Sequence, residues 1–214
     1  MFRCLNPEVD AERPEPGEVA DHIARAAARL FANRGFDATS VREIVAEAGV
    51  TKPTLYYHYG SKEGLGQALL SGPVTGLVDG IAALAEAPMG PLERQSAILD
   101  AQFDFFRAEP DRARFMFGLI FGPKVGSLAD GLQRIISRMD GPHRRAAEGL
   151  VDAGLISGDR LDAWVVAVKG LAMAYMMQIL YRGVDPGPGL ADRLVGDLLE
   201  GFGVAVGTDR SRPR

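Results

Sequence analysis

The sequence predicts an all-α protein, in which an N-terminal three-helix domain containing a helix-turn-helix precedes a larger C-terminal helical domain. Apolar residues recur three and four positions apart along most of the chain, and Gly and Pro residues separate these periodic segments. No segment alternates for long with the period of two that a half-buried strand requires. The 214 residues are 47% hydrophobic and 24% charged, a globular composition that excludes a chain disordered throughout.

Changes in composition divide the chain into four regions. Residues 1–18 are rich in proline and acidic side chains, which predicts a disordered acidic tail. We expect the helix-turn-helix domain over residues 19–70 and the C-terminal domain over residues 71–206. Residues 207–214 are expected to form a second disordered tail.

The first two helices have recognisable ends. The apolar spacing predicts a helix over residues 19–34, closed by Gly35, because glycine readily takes the left-handed conformation that ends many helices. Ser40 and Glu43 match a capping box, in which the serine oxygen accepts from an amide three residues on and the glutamate reaches back. The second helix is therefore expected over residues 41–48.

A tight turn at Gly49 leads into a short third helix. Thr51 is its expected N-cap, and Pro53 lies in the first turn, where the missing N–H costs nothing. The third helix is predicted over residues 53–58, and Ser61 is expected to cap a fourth helix that follows it directly.

Two Gly-Pro pairs are expected to interrupt longer helices. Gly72-Pro73 should kink or break the fourth helix near Ser71, because proline removes one N–H···O bond and clashes with the carbonyl group four residues back. Gly141-Pro142 should act in the same way further along the chain. The remaining helices are predicted over residues 92–108, 111–121, 124–153, 159–182 and 189–206.

The third helix carries unusually polar and aromatic side chains for a short surface helix. Only Leu55 has to point inward. A helix of about six residues cannot bury Leu55 and three aromatic side chains on one face, so we expect Tyr56 and Tyr57 at the surface and Tyr59 inside. In a helix-turn-helix the second helix lies in the major groove, which alone distinguishes all four base pairs. The donors on the third helix therefore favour double-stranded DNA as the partner.

The segment from Ile23 to Leu70 resembles the DNA-binding domain of the TetR family of bacterial transcriptional regulators. The remaining chain shares only the length and helical character of that family's ligand-binding, dimer-forming domain. The residues that carry the resemblance are Ala26-Ala27, Leu30-Phe31, Arg34-Gly35-Phe36-Asp37-Ala38-Thr39-Ser40, Ile44-Val45, Ala48-Gly49-Val50-Thr51-Lys52, Thr54-Leu55-Tyr56-Tyr57-His58-Tyr59 and Ser61-Lys62-Glu63.

The resemblance implies which residues contact DNA. Lys62 would hold a phosphate at the N-terminus of the fourth helix, where the helix dipole also favours an anion. Arg42, Lys52 and Thr54 are the candidates for reading bases, whereas phosphate contacts only position the protein. The full implied set is Ser40, Arg42, Thr51, Lys52, Pro53, Thr54, Tyr56, Tyr57, His58 and Lys62.

Charge limits what one copy of this domain can bind. Residues 19–70 contain six basic and five acidic side chains, a net charge of +1. Few phosphates can be neutralised per chain, so a dimer is needed for useful affinity at physiological salt. The acidic tail also argues against the basic minor-groove arm that some relatives use.

The last two predicted helices are apolar on more than one face. This favours a homodimer through residues 159–206, in which each chain contributes two helices to a four-helix bundle. Ala172 and Met176 are expected in that interface. An ordinary monomeric core is the alternative.

Aromatic and methionine side chains concentrate on several helices of the C-terminal domain. The family resemblance implies a small-molecule site among them, and the scarcity of charges favours an apolar or aromatic effector. Ordinary core packing is the alternative for each residue. The expected lining residues are Phe103, Phe106, Phe117, Phe121, Trp164, Met173 and Met177.

Other chemistries find no support in the sequence. The single Cys4 excludes an internal disulfide, and the histidines show no metal-ligand spacing. Phosphate-loop, dinucleotide and nucleophile-elbow motifs are missing, so we expect neither catalysis nor a cofactor. No secretory signal is recognisable, and Lys169 and Gln178 interrupt the most apolar segment as in a buried helix, so a cytoplasmic protein without a membrane partner is expected.

Taken together, these features indicate a ligand-responsive, homodimeric transcriptional regulator, with repression at a palindromic operator as the expected mode. Two alternatives remain open: a small-molecule-binding protein with a vestigial helix-turn-helix, and an activator without an effector. The joint expected at Gly72-Pro73 would let the domains reorient when ligand binds, with a static bend as the alternative.

Overall fold

The computed structural model describes residues 16–122 and 126–201, and every regular element within them is helical. The N-terminal domain and the C-terminal domain pack together as one helical body. The helices are α1 (Pro16–Arg34), α2 (Val41–Glu47), α3 (Lys52–Tyr59), α4 (Lys62–Glu86), α5 (Pro91–Ala108), α6 (Pro110–Phe121), α7 (Gly126–Asp152), α8 (Leu161–Met177) and α9 (Leu190–Glu200). A 3₁₀ turn (Gly158–Arg160) precedes α8 and a π-helical turn (Gln178–Arg182) follows it.

The N-terminal domain forms around the side chains that its sequence pattern selects. Ile23 of α1, Ile44 of α2, Leu55 of α3 and Leu65 of α4 are completely buried against one another's helices. The all-α class is confirmed for the described residues. The helix limits agree with the sequence to within one or two residues for α2 and α3, because side-chain caps define those ends.

The two outer helix limits differ from the sequence prediction. Helix α1 begins at Pro16, so residues 16–18 are helical and not part of a tail, since proline at the first position and acidic Glu18 in the first turn both suit a helix start. Helix α9 ends at Glu200, where Gly201 has a φ of 79°. The rest of both predicted tails, and the end of the helix predicted to residue 206, lie outside the described residues.

The predicted break at Gly72-Pro73 is wrong, since α4 continues through it as a helix, and the alternative of a kink stays a prediction. Proline leaves the Leu69 carbonyl without its partner in the helix, but the Arg112 guanidinium donates to that oxygen at 2.7 Å. The Ser71 hydroxyl donates to the Gln67 carbonyl one turn earlier, at 2.9 Å. The Arg112 guanidinium therefore replaces the bond that the proline removes, whereas the Ser71 bond is additional to the helical ones.

Helix α7 also continues through Gly141-Pro142, so this second predicted break is wrong too. The helix packs along α4 and α5 on both sides of the proline, with Leu132 buried before it and Ala146 and Leu150 buried after it. This burial outweighs the cost of about 3 kcal/mol of an interior proline.

Two helical segments, Lys62–Glu86 and Gly158–Arg182, are long and apolar enough to cross a membrane by length and composition. In the structure α4 lies against α5 and α7, and α8 lies against α7 and α9. Both segments are therefore accounted for as helices of a bundle.

Helix α6 joins the two domains. It packs along α1, and the Phe115 ring of α6 lies 5.1 Å from the Phe31 ring, which in turn lies 4.9 Å from the Phe36 ring. Gly66 of α4 belongs to the same contact, because a side-chain carbon there would lie 2.9 Å from the Phe36 ring. The N-terminal domain is thus held directly on α6.

Candidate nucleic-acid interface and internal cavity

The turn between α2 and α3 sets the direction of α3. Gly49 has a φ of 62°, a left-handed conformation that favours glycine, and Val50 follows it. The Thr51 side chain then accepts from the Thr54 amide and starts α3. With Leu55 completely buried as the anchor, the other side chains of α3 are left near or at the surface.

The aromatic side chains of α3 divide as the sequence predicts. Tyr57 is 84% exposed and Tyr56 is 46% exposed. Tyr59 turns inward, and its hydroxyl donates to the Ala20 carbonyl of α1 at 2.7 Å. Burial of that phenol raises the pKa of Tyr59, with the Asp21 carboxylate adding to the shift. Tyr59 thus fixes α3 to α1 and leaves Tyr56 and Tyr57 accessible.

The other residues implied to contact DNA lie at the start of α2 and along α3. Ser40 and Arg42 are exposed, whereas Thr54 and His58 are half-buried. The exposed members of the implied set on α3 and its cap are Thr51, Lys52, Pro53, Tyr56 and Tyr57.

The basic side chains of this domain are not equally available. Arg34 pairs with Glu43 at 2.7 Å, and Arg29 pairs with Glu47. Hydrogen bonds from Ser40 and the charge of Arg34 lower the pKa of Glu43. Arg42 and Lys52 form no ion pair within the described residues, so these two cations are free to meet phosphates or base edges.

Lys62 is placed differently from what the family resemblance implies. Its ammonium donates to the Phe36 carbonyl and to the Thr39 carbonyl, both at 2.9 Å. It also lies 4.3 Å above the centre of the Phe36 ring. Two of its three donors are therefore committed to the turn between α1 and α2, and Lys62 acts first as a clamp on that turn.

Comparison with known proteins agrees with this geometry. The family profile described as bacterial regulatory proteins, tetR family, matches residues 23–69. The HTH-type transcriptional activator FasR of Mycolicibacterium smegmatis is 31% identical over 152 residues, which are 65% of this chain and 69% of FasR. The chain belongs to the TetR family. It is a DNA-binding transcriptional regulator with the two-domain helical fold of that family.

Other TetR-family relatives extend the comparison. The HTH-type transcriptional repressor KstR2 of Mycolicibacterium smegmatis is 31% identical over 90 residues, 42% of this chain and 44% of KstR2. A TetR-like transcriptional regulator from Rhodococcus sp. RHA1 has a TM-score of 0.71 at 20% identity, covering 88% of this chain and all of that one. The fold similarity thus includes the C-terminal domain, where sequence identity is low.

A partly open cavity of about 260 Å³ lies in the C-terminal domain of this TetR-family chain, among α5, α6, α7 and α8. Most of its wall is apolar, and the polar exceptions are Gln102, Asp140, His143 and Lys169. The Gln102 amide nitrogen lies 3.0 Å from His143 Nε2. The apolar part of the wall consists of Phe106, Met116, Phe117, Ile120, Ile135, Ile136, Met139, Ala172, Met173 and Met176.

Only part of the expected lining set lies on this cavity. Phe106, Phe117 and Met173 line it, whereas Phe103, Phe121, Trp164 and Met177 do not. Phe103 is completely buried in the core, and Phe121 is 68% exposed. The Trp164 indole is buried elsewhere and donates to Gln95 at 3.2 Å.

The wall that α7 contributes was missed from the sequence. Ile135, Met139 and His143 follow one another at intervals of four, so they share one face of α7. That spacing was the available signal, whereas the aromatic and methionine clusters of the sequence lie mainly on α5, α6 and α8. Within residues 16–122 and 126–201, no group of three or more His, Cys, Asp or Glu side chains could hold a metal ion.

Helix α8 carries an exposed stripe of small and apolar residues. Val166 is 71% exposed, and Tyr181 in the π-helical turn is 55% exposed. Ala172 and Met176, expected in an interface, are instead buried within the chain at 2% and 5% exposure, because their side of α8 faces the cavity. The exposed stripe consists of Ala163, Val166, Gly170, Ala174 and Tyr181.

Proposed function

We propose that this TetR-family protein is a ligand-responsive repressor that binds a palindromic operator as a homodimer and releases it when a small apolar effector binds. The observation that carries the proposal is the arrangement of α3, which is held in the core by Leu55 and presents hydrogen-bond donors and aromatic rings at its accessible surface. We infer that the protein acts in the cytoplasm and catalyses no reaction, as its relatives are regulators.

On this proposal α3 lies in the major groove, and its residues divide between positioning and reading. Lys52, Thr54 and Arg42 would contact bases, since the two cations form no ion pair in the part of the chain that the structure describes and Thr54 lies on the third helix. Tyr56 and Tyr57 would contact phosphates or thymine methyl groups. Ser40, Thr51, Pro53 and His58 complete the proposed contact surface.

The dimer would form through the exposed stripe on α8 together with α9, within residues 159–206. Small residues such as Ala163, Gly170 and Ala174 allow two helices to approach closely, and Val166 and Tyr181 supply apolar area to bury. Two copies would double the number of free cations offered to the duplex and present two reading helices, as a palindrome requires.

Ligand response would pass from the cavity to DNA through α6. One side of α6 lines the cavity with Met116, Phe117 and Ile120. The other side meets the N-terminal domain through Phe115 and through the Arg112 bond to α4. A ligand that shifts α6 therefore moves the N-terminal domain with it, and would alter the separation of the two reading helices.

The two alternative functions make different predictions about operator binding and about the cavity. A small-molecule-binding protein with a vestigial helix-turn-helix would bind no operator. An activator without an effector would have no use for the cavity, although the name of FasR records activation by a relative. The cavity favours an effector, and exposed Lys52 and Arg42 favour retained DNA binding.

Selection of duplexes from a random DNA pool by the purified protein tests the proposal. We expect one enriched sequence with two inverted half-sites, about 10 base pairs or a multiple of that apart, as two major-groove helices require. Lys52→Ala and Thr54→Ala should change the enriched sequence, whereas Thr75→Ala, a matched control on α4, should not. Failure to enrich any sequence would refute operator binding.

A further inference from the structure

His143 is a buried polar group that the packing of the protein leaves incompletely satisfied. The side chain is 3% exposed and lines the cavity. Its Nε2 is paired with the Gln102 amide, but its Nδ1 has no hydrogen-bond partner within the described residues. A buried polar group without a partner is uncommon and calls for an explanation, of which an incoming ligand is one.

The pair with Gln102 sets the chemistry of the free nitrogen. Burial, with a further contribution from the Lys169 charge, lowers the pKa of His143 to about 4, so the ring is neutral at pH 7. A neutral imidazole carries one proton. Because the Gln102 amide nitrogen donates to Nε2, that proton lies on Nδ1, which is therefore a donor in need of an acceptor.

The charges on the cavity wall cancel. Lys169 of α8 and Asp140 of α7 form an ion pair with each other, and the wall as formed by residues 16–122 and 126–201 contains no other charged side chain. Both of these side chains are about half exposed, at 41% and 59%, so the pair lies at the open side of the cavity. A carboxylate placed beside the buried His143 would lose its hydration without gaining an unpaired cation, which is costly. The wall therefore favours a neutral ligand.

The volume sets the size of that ligand. A cavity of about 150 Å³ is enough to admit benzene. The cavity here, at about 260 Å³, has room for a larger molecule such as an alkyl chain of about ten carbons. Its wall of Phe, Ile and Met side chains suits such a chain, since methionine adapts to irregular shapes.

We propose that the effector is a neutral, mainly apolar molecule with one carbonyl oxygen, which accepts a hydrogen bond from His143 Nδ1–H after a small displacement of the side chains that cover this nitrogen. This inference rests on the proposed ligand response but names a ligand class and an anchoring residue that the proposed function leaves open. Gln102 is a positioning residue, because it fixes the proton of the imidazole without contacting the carbonyl group.

Calorimetric titration of the full chain without DNA tests the ligand class. The probes are decan-2-one and decanoate, which share chain length and differ in charge. We expect decan-2-one to bind at least about tenfold more tightly than decanoate at pH 7. Equal binding, stronger binding of decanoate, or no binding of decan-2-one up to its solubility limit would overturn the proposal.

Variants of His143 test the anchor. His143→Leu removes both nitrogens and should weaken decan-2-one binding about tenfold. His143→Asn keeps an amide N–H near the position of Nδ1 and should recover most of that affinity. Unchanged binding by His143→Leu, with its fold verified by circular dichroism, would contradict the assignment, as would failure of His143→Asn to bind better than His143→Leu.

Nitrogen-15 spectra of the unmutated protein give a readout that needs no variant of His143. The chain has three histidines, so assignment is simple. We expect Nδ1 of His143 to be protonated and its shift to change with decan-2-one; a proton on Nε2 would overturn the proposal. If decan-2-one binds as expected but leaves operator affinity unchanged, the ligand-responsive function fails while this assignment stands.

Discussion

Lys62 shows how one residue can suit two roles that the sequence does not separate. The family resemblance implies a phosphate contact, while the structure commits two of its donors to the carbonyls of Phe36 and Thr39. These bonds tie the start of α4 to the turn between α1 and α2. The third donor would remain for a phosphate, and such a contact would link DNA binding to stability at this residue.

Lys62→Met tests this reading. It keeps the aliphatic stem but removes both bonds, so the free energy of unfolding in urea should fall by about 1–3 kcal/mol. Lys52→Met is the matched control, since Lys52 is exposed and forms no ion pair in the described residues, and should change stability by less than about 0.5 kcal/mol. The contrary result is that Lys62→Met keeps its stability and reduces the slope of log binding constant against log salt by about one. That result would favour a role in phosphate contact alone.

His143 makes stability depend on pH. Its folded pKa of about 4 lies below the ordinary value of 6.5, so between these limits the unfolded chain binds more protons than the folded one. Stability from this group is complete above pH 6.5 and falls as the pH drops towards 4. The groups that face it are Gln102 from α5, Lys169 from α8 and Asp140 on its own helix.

The pH dependence can be measured by urea unfolding between pH 7 and pH 4. We expect the free energy of unfolding to fall by roughly 3 kcal/mol more over this interval in the unmutated protein than in His143→Leu, which lacks the titrating group. The carboxylates titrate in both proteins and cancel in the comparison. Parallel losses in the two proteins would show that His143 is not held neutral by burial.

At the scale of the helix, Arg112 and Pro73 depend on each other. Arg112 donates to the Leu69 carbonyl that Pro73 leaves without an intrahelical donor. Arg112→Met should cost about 1–3 kcal/mol of unfolding free energy in the parent. In a Pro73→Ala background the new amide can reach Leu69, so the same change should cost less, and the two substitutions should be non-additive by about 1 kcal/mol. Strict additivity would show that the Arg112 bond does not compensate for the proline.

The capped starts of α2 and α3 could be predicted from the sequence, whereas the continuity of α4 through its internal proline could not. The capping bonds of Ser40 and Thr51 are local, so residues three apart in the sequence are enough to locate the starts of α2 and α3. The continuity of α4 at Pro73 depends on Arg112, which is distant in the sequence and reaches α4 only through the fold. No local pattern could have revealed that donor.

At the scale of the whole molecule, the apolar stripe on α8 predicts a dimer. Val166→Glu places a charge on the exposed stripe and should give monomers in sedimentation analysis at micromolar concentration, with folding retained because Val166 is 71% exposed. Ala83→Glu, a charge at an exposed position of α4, is the control and should leave the oligomeric state unchanged. A monomeric unmutated protein, or a dimeric Val166→Glu, would contradict the proposed interface.

The cavity was predictable only in outline. An apolar site on α5, α6 and α8 follows from residue type, and Phe106, Phe117 and Met173 do line the cavity. Phe103 and Trp164 are of the same type but pack in the core, because residue type does not say which side of a helix meets a void. The polar pair of Gln102 and His143 joins α5 to α7, and only the packed structure brings the two together.

The most direct test of the account is the affinity of the protein for its enriched duplex and for a scrambled duplex at several salt concentrations. We expect the enriched duplex to bind at least about a thousandfold more tightly, with the logarithm of the binding constant falling linearly as the logarithm of the salt concentration rises. Lys52→Ala should lose most of that preference. Equal affinity for the two duplexes, or the same preference in Lys52→Ala, would contradict the claim that α3 reads DNA.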